Sequence, residues 1–347
     1  MKSSKTVTAI LACFAVTALA FGAGQNTPGM GMQHMPGMQH MAMKKAGNVR
    51  LSVSDDQALH LVTLRLGPLD LPARAGMNVA QAPDLYWNVP IDGWFTGYLA
   101  SLEGATGQRI SARLLHHVAV YDTSRPNFLC PNQAEHIFGA GGELTEWPSL
   151  TGLGYRVHRG DRIMVSTMFH NDGTVAYSAI YLKISVSYRP WTKGGPQLMS
   201  VYPAWFDVMG CGSSGYGLKP GRSVKDGEFK LPFSGRLIGV GGHMHDYGQE
   251  LILSNATHRR QIADLKAQLD PQGRLISIPI VRFTEGGGLS LEKADVIHVT
   301  CVYDNLSGKY LPDGAMGIMV GYFLPGDQAE FAALRRPAAP AGGAHHP

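Results

Sequence analysis

Along most of the chain, apolar and polar residues alternate with a period of two. Val49-Arg50-Leu51-Ser52-Val53, Leu61-Val62-Thr63-Leu64-Arg65-Leu66, Ile110-Ser111-Ala112-Arg113-Leu114-Leu115 and the segment from Ala176 to Tyr188 all follow it. Side chains on a strand point to opposite faces in turn, so this pattern predicts half-buried strands. Prolines and glycines punctuate it throughout. A helical period first shows at Gln261 to Gln268, and the closing Ala329 to Pro347 reads as a short helical turn followed by an alanine- and proline-rich end. Many short strands with frequent turn signals build sandwiches or barrels, so the expected fold is all-β. The alternation breaks at Arg189-Pro190-Trp191-Thr192-Lys193-Gly194-Gly195-Pro196, which places a boundary between domains at 48–195 and 196–326, with a tail over 327–347.

Composition agrees with this picture. Glycine supplies 43 of the 347 residues, and charged residues only 16%. A net charge of +4 with no basic run excludes a nucleic-acid footprint. The basic start Met1 to Lys5, the apolar run Val7 to Phe21 and the small residues that follow predict a secretory signal peptide over 1–23, cleaved after Ala20 or Ala23. A lipoprotein box ending at Cys13 is the weaker reading, because the apolar run continues past it. No later run is long enough to span a membrane. The mature chain is therefore expected in the periplasm or outside the cell. Of its cysteines, Cys130, Cys211 and Cys301, two could pair in an oxidising compartment, and the sequence does not choose which.

The candidate chemistry is metal binding. Residues 24–47 form a low-complexity tract in which Met30, Met32, His34, Met35, Met38, His40, Met41 and Met43 recur in M-x-M and M-Q-H-M spacings. Exposed thioethers and imidazoles suit copper, above all Cu(I), although a linker of biased composition would look the same. In the first block, His116 and His117 end one predicted strand and His170 ends another. Adjacent residues on a regular strand face opposite ways, so both members of a His-His pair can serve one site only with a bulge, a twist or a strand end. His136 and His158 read as loop or surface residues. In the second block, His243-Met244-His245 follows a glycine-rich run, on a strand or a tight strand pair, with both imidazoles on one side. Met316 stands at the mouth of a late apolar strand, with Met319 the alternative sulfur and the stronger core residue.

His-His, a strand-end His, His-x-His with glycine following, then a Met on the last strand: this order over roughly residues 90–324 resembles the copper type II, ascorbate-dependent monooxygenases. Peptidylglycine α-hydroxylating monooxygenase and dopamine β-monooxygenase are the known members. The resemblance implies two consecutive antiparallel jelly-roll-like β-sandwich domains facing each other across a cleft, with two coppers per chain. His116, His117 and His170 would hold the electron-transfer copper, and His243, His245 and Met316 the oxygen-activating one. A reductant such as ascorbate would support hydroxylation of a small-molecule or peptide substrate. The chain departs from the family at Gly314-Ala315, where an acidic pair is expected. It departs also at Gly317, where Cys301 would find its partner, and at Gly241, Ile318 and Val320, where substrate contacts lie. A non-catalytic copper-binding or copper-resistance protein on the same scaffold is the alternative expectation. A zinc-binding sandwich is the third.

Overall fold

Leu61–Leu71 sends Val62, Leu64, Leu66, Leu69 and Leu71 into the core, and Tyr177–Pro190 sends Ile180, Leu182, Ile184, Val186 and Tyr188 to the same face. These two strands pair along most of their length. In this computed structural model, which describes residues 48–74, 76–283 and 287–334, they lie at the centre of an eight-stranded sheet. Its main order is Arg50–Asp56, Leu61–Leu71, Tyr177–Pro190, Gly93–Glu103, Leu153–Val157 and Met199–Ser200. A second sheet runs Gly76–Gln81, Arg162–Asn171, Leu115–Pro126, Ala134–Ala140. The later half of the chain forms a sheet of Tyr202–Asp207, Gly317–Pro325, Gly235–Met244 and Val281–Arg282. Another is built from Gly221–Lys230, Val296–Asn305, Gly248–Asn255 and Arg260–Lys266. Apart from the parallel pair of Leu153–Val157 with Met199–Ser200, these pairings are antiparallel. The fold is an all-β, jelly-roll-like sandwich, as expected.

Two local expectations are corrected. Gln261 to Gln268 is not helical: Arg260–Lys266 is a strand on the edge of its sheet, beside Gly248–Asn255. Its apolar residues Ile262, Ala263 and Leu265 fit a helical period, but Ala263 and Leu265 face one core at strand spacing. Nor is Ile110 to Leu115 one strand. Arg109–Ile110 pairs within the first sheet, a 3-10 turn over Ala112–Leu114 redirects the chain, and Leu115–Pro126 enters the second sheet. Alternation alone cannot distinguish one strand from two strand ends joined by such a turn. The expected closing helical turn is present as a helix at Gln328–Leu334.

Aromatic contacts carry the packing between the earlier and later sheets. Phe128 stacks on Phe323 with ring centres 5.4 Å apart, and Trp147 meets Tyr322 at 5.0 Å. The cysteine choice left open by the sequence is settled as Cys130–Cys211, which ties the loop before Ala134–Ala140 to the loop after Tyr202–Asp207. Cys301 is free and buried. A Cβ on Gly317 would lie 2.9 Å from its sulfur, so the position that lacks a cysteine here does face it.

Close backbone approach also yields a stability test. A Cβ on Gly93, at the end of Gly93–Glu103, would stand 2.2 Å from the Arg189 carbonyl oxygen on the paired strand. Backbone cannot step aside cheaply, so Gly93→Ala is expected to cost about 2–3 kcal/mol by overpacking. Urea unfolding of the variant checks this, and an unchanged midpoint would show that the strand pair yields.

The signal peptide expected over 1–23, the methionine- and histidine-rich segment over 24–47 and the tail beyond 334 lie outside the described residues. Among the described residues, no helix is long and apolar enough to cross a membrane.

Candidate metal centre

The second sheet delivers the first three histidines by interrupting its own regularity. Between Leu115–Pro126 and Arg162–Asn171, His117 pairs with Met168 and Leu115 with Phe169, leaving His116 as an extra residue. The bulge that a shared His-His site demands is therefore present. A second irregularity, between Phe169 and Asn171, falls at His170. The later half supplies His243 from Gly235–Met244 and His245 from the turn that follows, where Tyr247 adopts a φ of 69°. The chain then enters another sheet as Gly248–Asn255, so the tight strand pair is excluded and the single strand holds.

All five imidazoles meet. Ring centres of His116 lie 5.0 Å from His117, 5.4 Å from His170, 6.3 Å from His243 and 4.6 Å from His245. His117 and His243 are 5.8 Å apart, and His243 and His245 5.6 Å. The two separate half-sites expected from the sequence are here one cluster. Burial pushes the His116 and His245 imidazoles well below the ordinary histidine value, with further lowering from the neighbouring histidines. His117 is pushed down to about 3, by burial first and then by His243 and His170. The rings of His116, His117 and His245 are thus neutral at pH 7, with lone pairs available to an electrophile. Nδ1 of His117, Nε2 of His243 and both ring nitrogens of His245 are buried without a hydrogen-bond partner.

Tyr303 braces this region. Its hydroxyl accepts from the backbone N–H of His245 at 2.9 Å and of Met316 at 3.1 Å, and donates to the Met316 carbonyl at 2.5 Å. Met316 is half-buried and Met319 fully buried in the core. Met316 lines a cleft of about 860 Å³, open mouth included, together with His117, Glu143, His243, His136 and Trp205.

The sequence reading missed two residues here. Glu143 places a carboxylate oxygen 2.5 Å from Nδ1 of His243. Its only sequence signal is a lone acidic residue after Gly141-Gly142. His136 is not a loop or surface residue but part of Ala134–Ala140, between Tyr121 at 4.2 Å and Trp205 at 4.0 Å, and burial pushes it down to about 3. His158 is exposed, as expected.

Taken as they stand, the rings do not form a finished centre. Among the described residues, no three His, Cys, Asp or Glu side chains are set to hold a metal ion. The donor set itself fits a late first-row metal: imidazoles, a carboxylate and a nearby thioether, with buried ring nitrogens that lack hydrogen-bond partners.

The fold and cluster define a jelly-roll-like β protein with a buried imidazole cluster. No protein-family model matches the chain, and no curated protein matches it. Similar solved structures include viral proteins and PNGF-II, the latter at 9% identity and a TM-score of 0.32 over 81% of this chain and 61% of that one. The major capsid protein P2 from Bacteriophage PM2 aligns at 11% identity and a TM-score of 0.33, over 76% of this chain and 98% of that one. Sulfolobus Turreted Icosahedral Virus gives 8% identity and a TM-score of 0.34, covering 83% and 94%. PBCV-1 VP54, fitted into a reconstruction of the virophage Sputnik, gives 6% and 0.31, covering 82% and 95%. The expected copper type II, ascorbate-dependent family is corrected, and with it the monooxygenase activity and oxidoreductase class that rested on it, because no family model and no curated protein, of that family or any other, matches the chain. Each element of the resemblance is short, and histidines in that order can sit on the strand ends of any antiparallel β-sandwich.

Proposed function

We propose that the chain binds a late first-row transition-metal ion within the cluster of His116, His117, His170, His243 and His245, copper being the ion to test first. Metal binding, not turnover, is the activity proposed. The observation that carries it is the convergence of imidazoles, with buried nitrogens of His117, His243 and His245 that lack partners. Leaving a buried polar atom unpaired costs about 1–3 kcal/mol, so the cluster is costly unless something satisfies it. Small rotations of the rings about their side-chain bonds would bring them to an ion. Of the two sulfurs, Met316 is the candidate, since it shares the cleft with His117 and His243. We place the protein outside the cytoplasm, a reading supported by Cys130–Cys211 and by the leader-like start.

The test is a competition titration of metal-free full chain with Cu(II), Cu(I) and Zn(II) against a chromophoric chelator, beside His117→Ala/His243→Ala. Both proteins keep the methionine tract, so the difference reports the cluster. The wild type is expected to bind one more equivalent of ion than the variant, with sub-micromolar affinity. Equal stoichiometry and affinity would sink the reading.

A further inference from the structure

We infer that Glu143 is the positioning residue of the cluster: its carboxylate holds His243 as the Nδ1–H tautomer and turns the Nε2 lone pair toward the other imidazoles. The inference rests on the metal-binding reading for its purpose, though not for its geometry. Oε1 of Glu143 lies 2.5 Å from Nδ1 of His243, and both side chains are largely buried, 7% and 15% exposed. In the neutral ring, a carboxylate at that distance accepts the Nδ1–H, which leaves Nε2 as the acceptor nitrogen, and Nε2 is the atom found buried without a partner. A ring flip would put a C–H where the Nε2 lone pair stands, and the opposite tautomer an N–H, so either would remove a donor pair from the cluster.

The loop that carries Glu143 is built for the task. The Gly142 N–H donates to the carbonyl of Leu115, the residue before His116, at 3.0 Å, and the Gly141 N–H donates to Leu144 at 3.0 Å. A Cβ on Gly141 would stand 2.4 Å from Oε2 of Glu143, so glycine there lets the carboxylate fold back against its own loop. One loop of the earlier half thus grips both the His116-His117 strand and a histidine of the later half. Carboxylates that orient ligating histidines in this way raise metal affinity about 10–100-fold.

Two-bond proton–nitrogen NMR of the metal-free full chain, with labelled histidine and the His243 signals assigned through His243→Asn, reads the tautomer directly. The expected result is Nδ1–H in the wild type and in Glu143→Gln, whose amide oxygen also accepts, and a mixture in Glu143→Ala. Zn(II) affinity is expected to fall about 10–100-fold in Glu143→Ala and to recover largely in Glu143→Gln. His243 found as Nε2–H in the wild type, or unchanged in Glu143→Ala, overturns the inference even if metal binds tightly. The predicted tautomers with no metal uptake by the wild type would instead overturn the metal-binding reading and leave the positioning role standing.

Discussion

Metal-free protein taken from neutral pH to about pH 5 is expected to lose about 4 kcal/mol of stability through His117 and His136 alone, about 2 kcal/mol from each. Burial holds both imidazoles down to about 3 in the folded chain. An unfolded histidine titrates near 6.5, so below that value the unfolded state takes up protons that the folded state refuses. The group's contribution is therefore intact above the unfolded pKa and lost as pH falls from there toward 3. His116 and His245, also lowered, steepen the loss. Urea midpoints recorded across this range check it. In His136→Phe, which keeps an aromatic ring between Tyr121 and Trp205, about 2 kcal/mol of the pH dependence should disappear. A wild type equally stable at both ends of the range would show that the rings are wetter than their placement implies.

Opening the Cys130–Cys211 bridge is expected to cost about 4 kcal/mol, measured as the urea stability of Cys130→Ala/Cys211→Ala against wild type at neutral pH. The two cysteines are 81 residues apart in sequence, and a bridge over so long a loop removes much of the freedom of the unfolded chain. The Gln133 side-chain amide also donates to the Cys211 carbonyl at 2.9 Å, so the same corner is held twice. Cys301 does not offer an alternative partner. It is fully buried on Val296–Asn305, and burial pushes its thiol well above the ordinary range. A loss below about 1 kcal/mol would mean that the two loops stay together without the bond.

The strand content was legible because alternation is a local property: Leu61–Leu71 and Tyr177–Pro190 show in sequence the same faces they bury. Sheet membership was not. Arg109–Ile110 and Leu115–Pro126 read as one strand because the 3-10 turn between them keeps an apolar residue at almost every other position. The five histidines were legible as candidates, and even the need for a bulge at His116 followed from strand geometry. Their meeting in one cluster was not, because it depends on how sheets from distant parts of the chain pack. Glu143 illustrates the same limit. A single carboxylate after two glycines has no periodicity, and its role exists only opposite His243. The family resemblance rested on the order of histidines, and order along a chain is a weaker constraint than arrangement in space.

The bulge at His116 also makes the His-His pair non-portable. Copied into a regular strand of another scaffold, the same two residues would send one ring to each face, and only one could reach a common site. What has to be transplanted is the surplus residue opposite Met168 and Phe169, not the dipeptide. Loss of one residue from this strand would restore its regular pleat and scatter the pair while leaving every histidine in place. The cluster is encoded by the parity of strand length as much as by residue identity, and deletion scanning would expose it where alanine scanning would not.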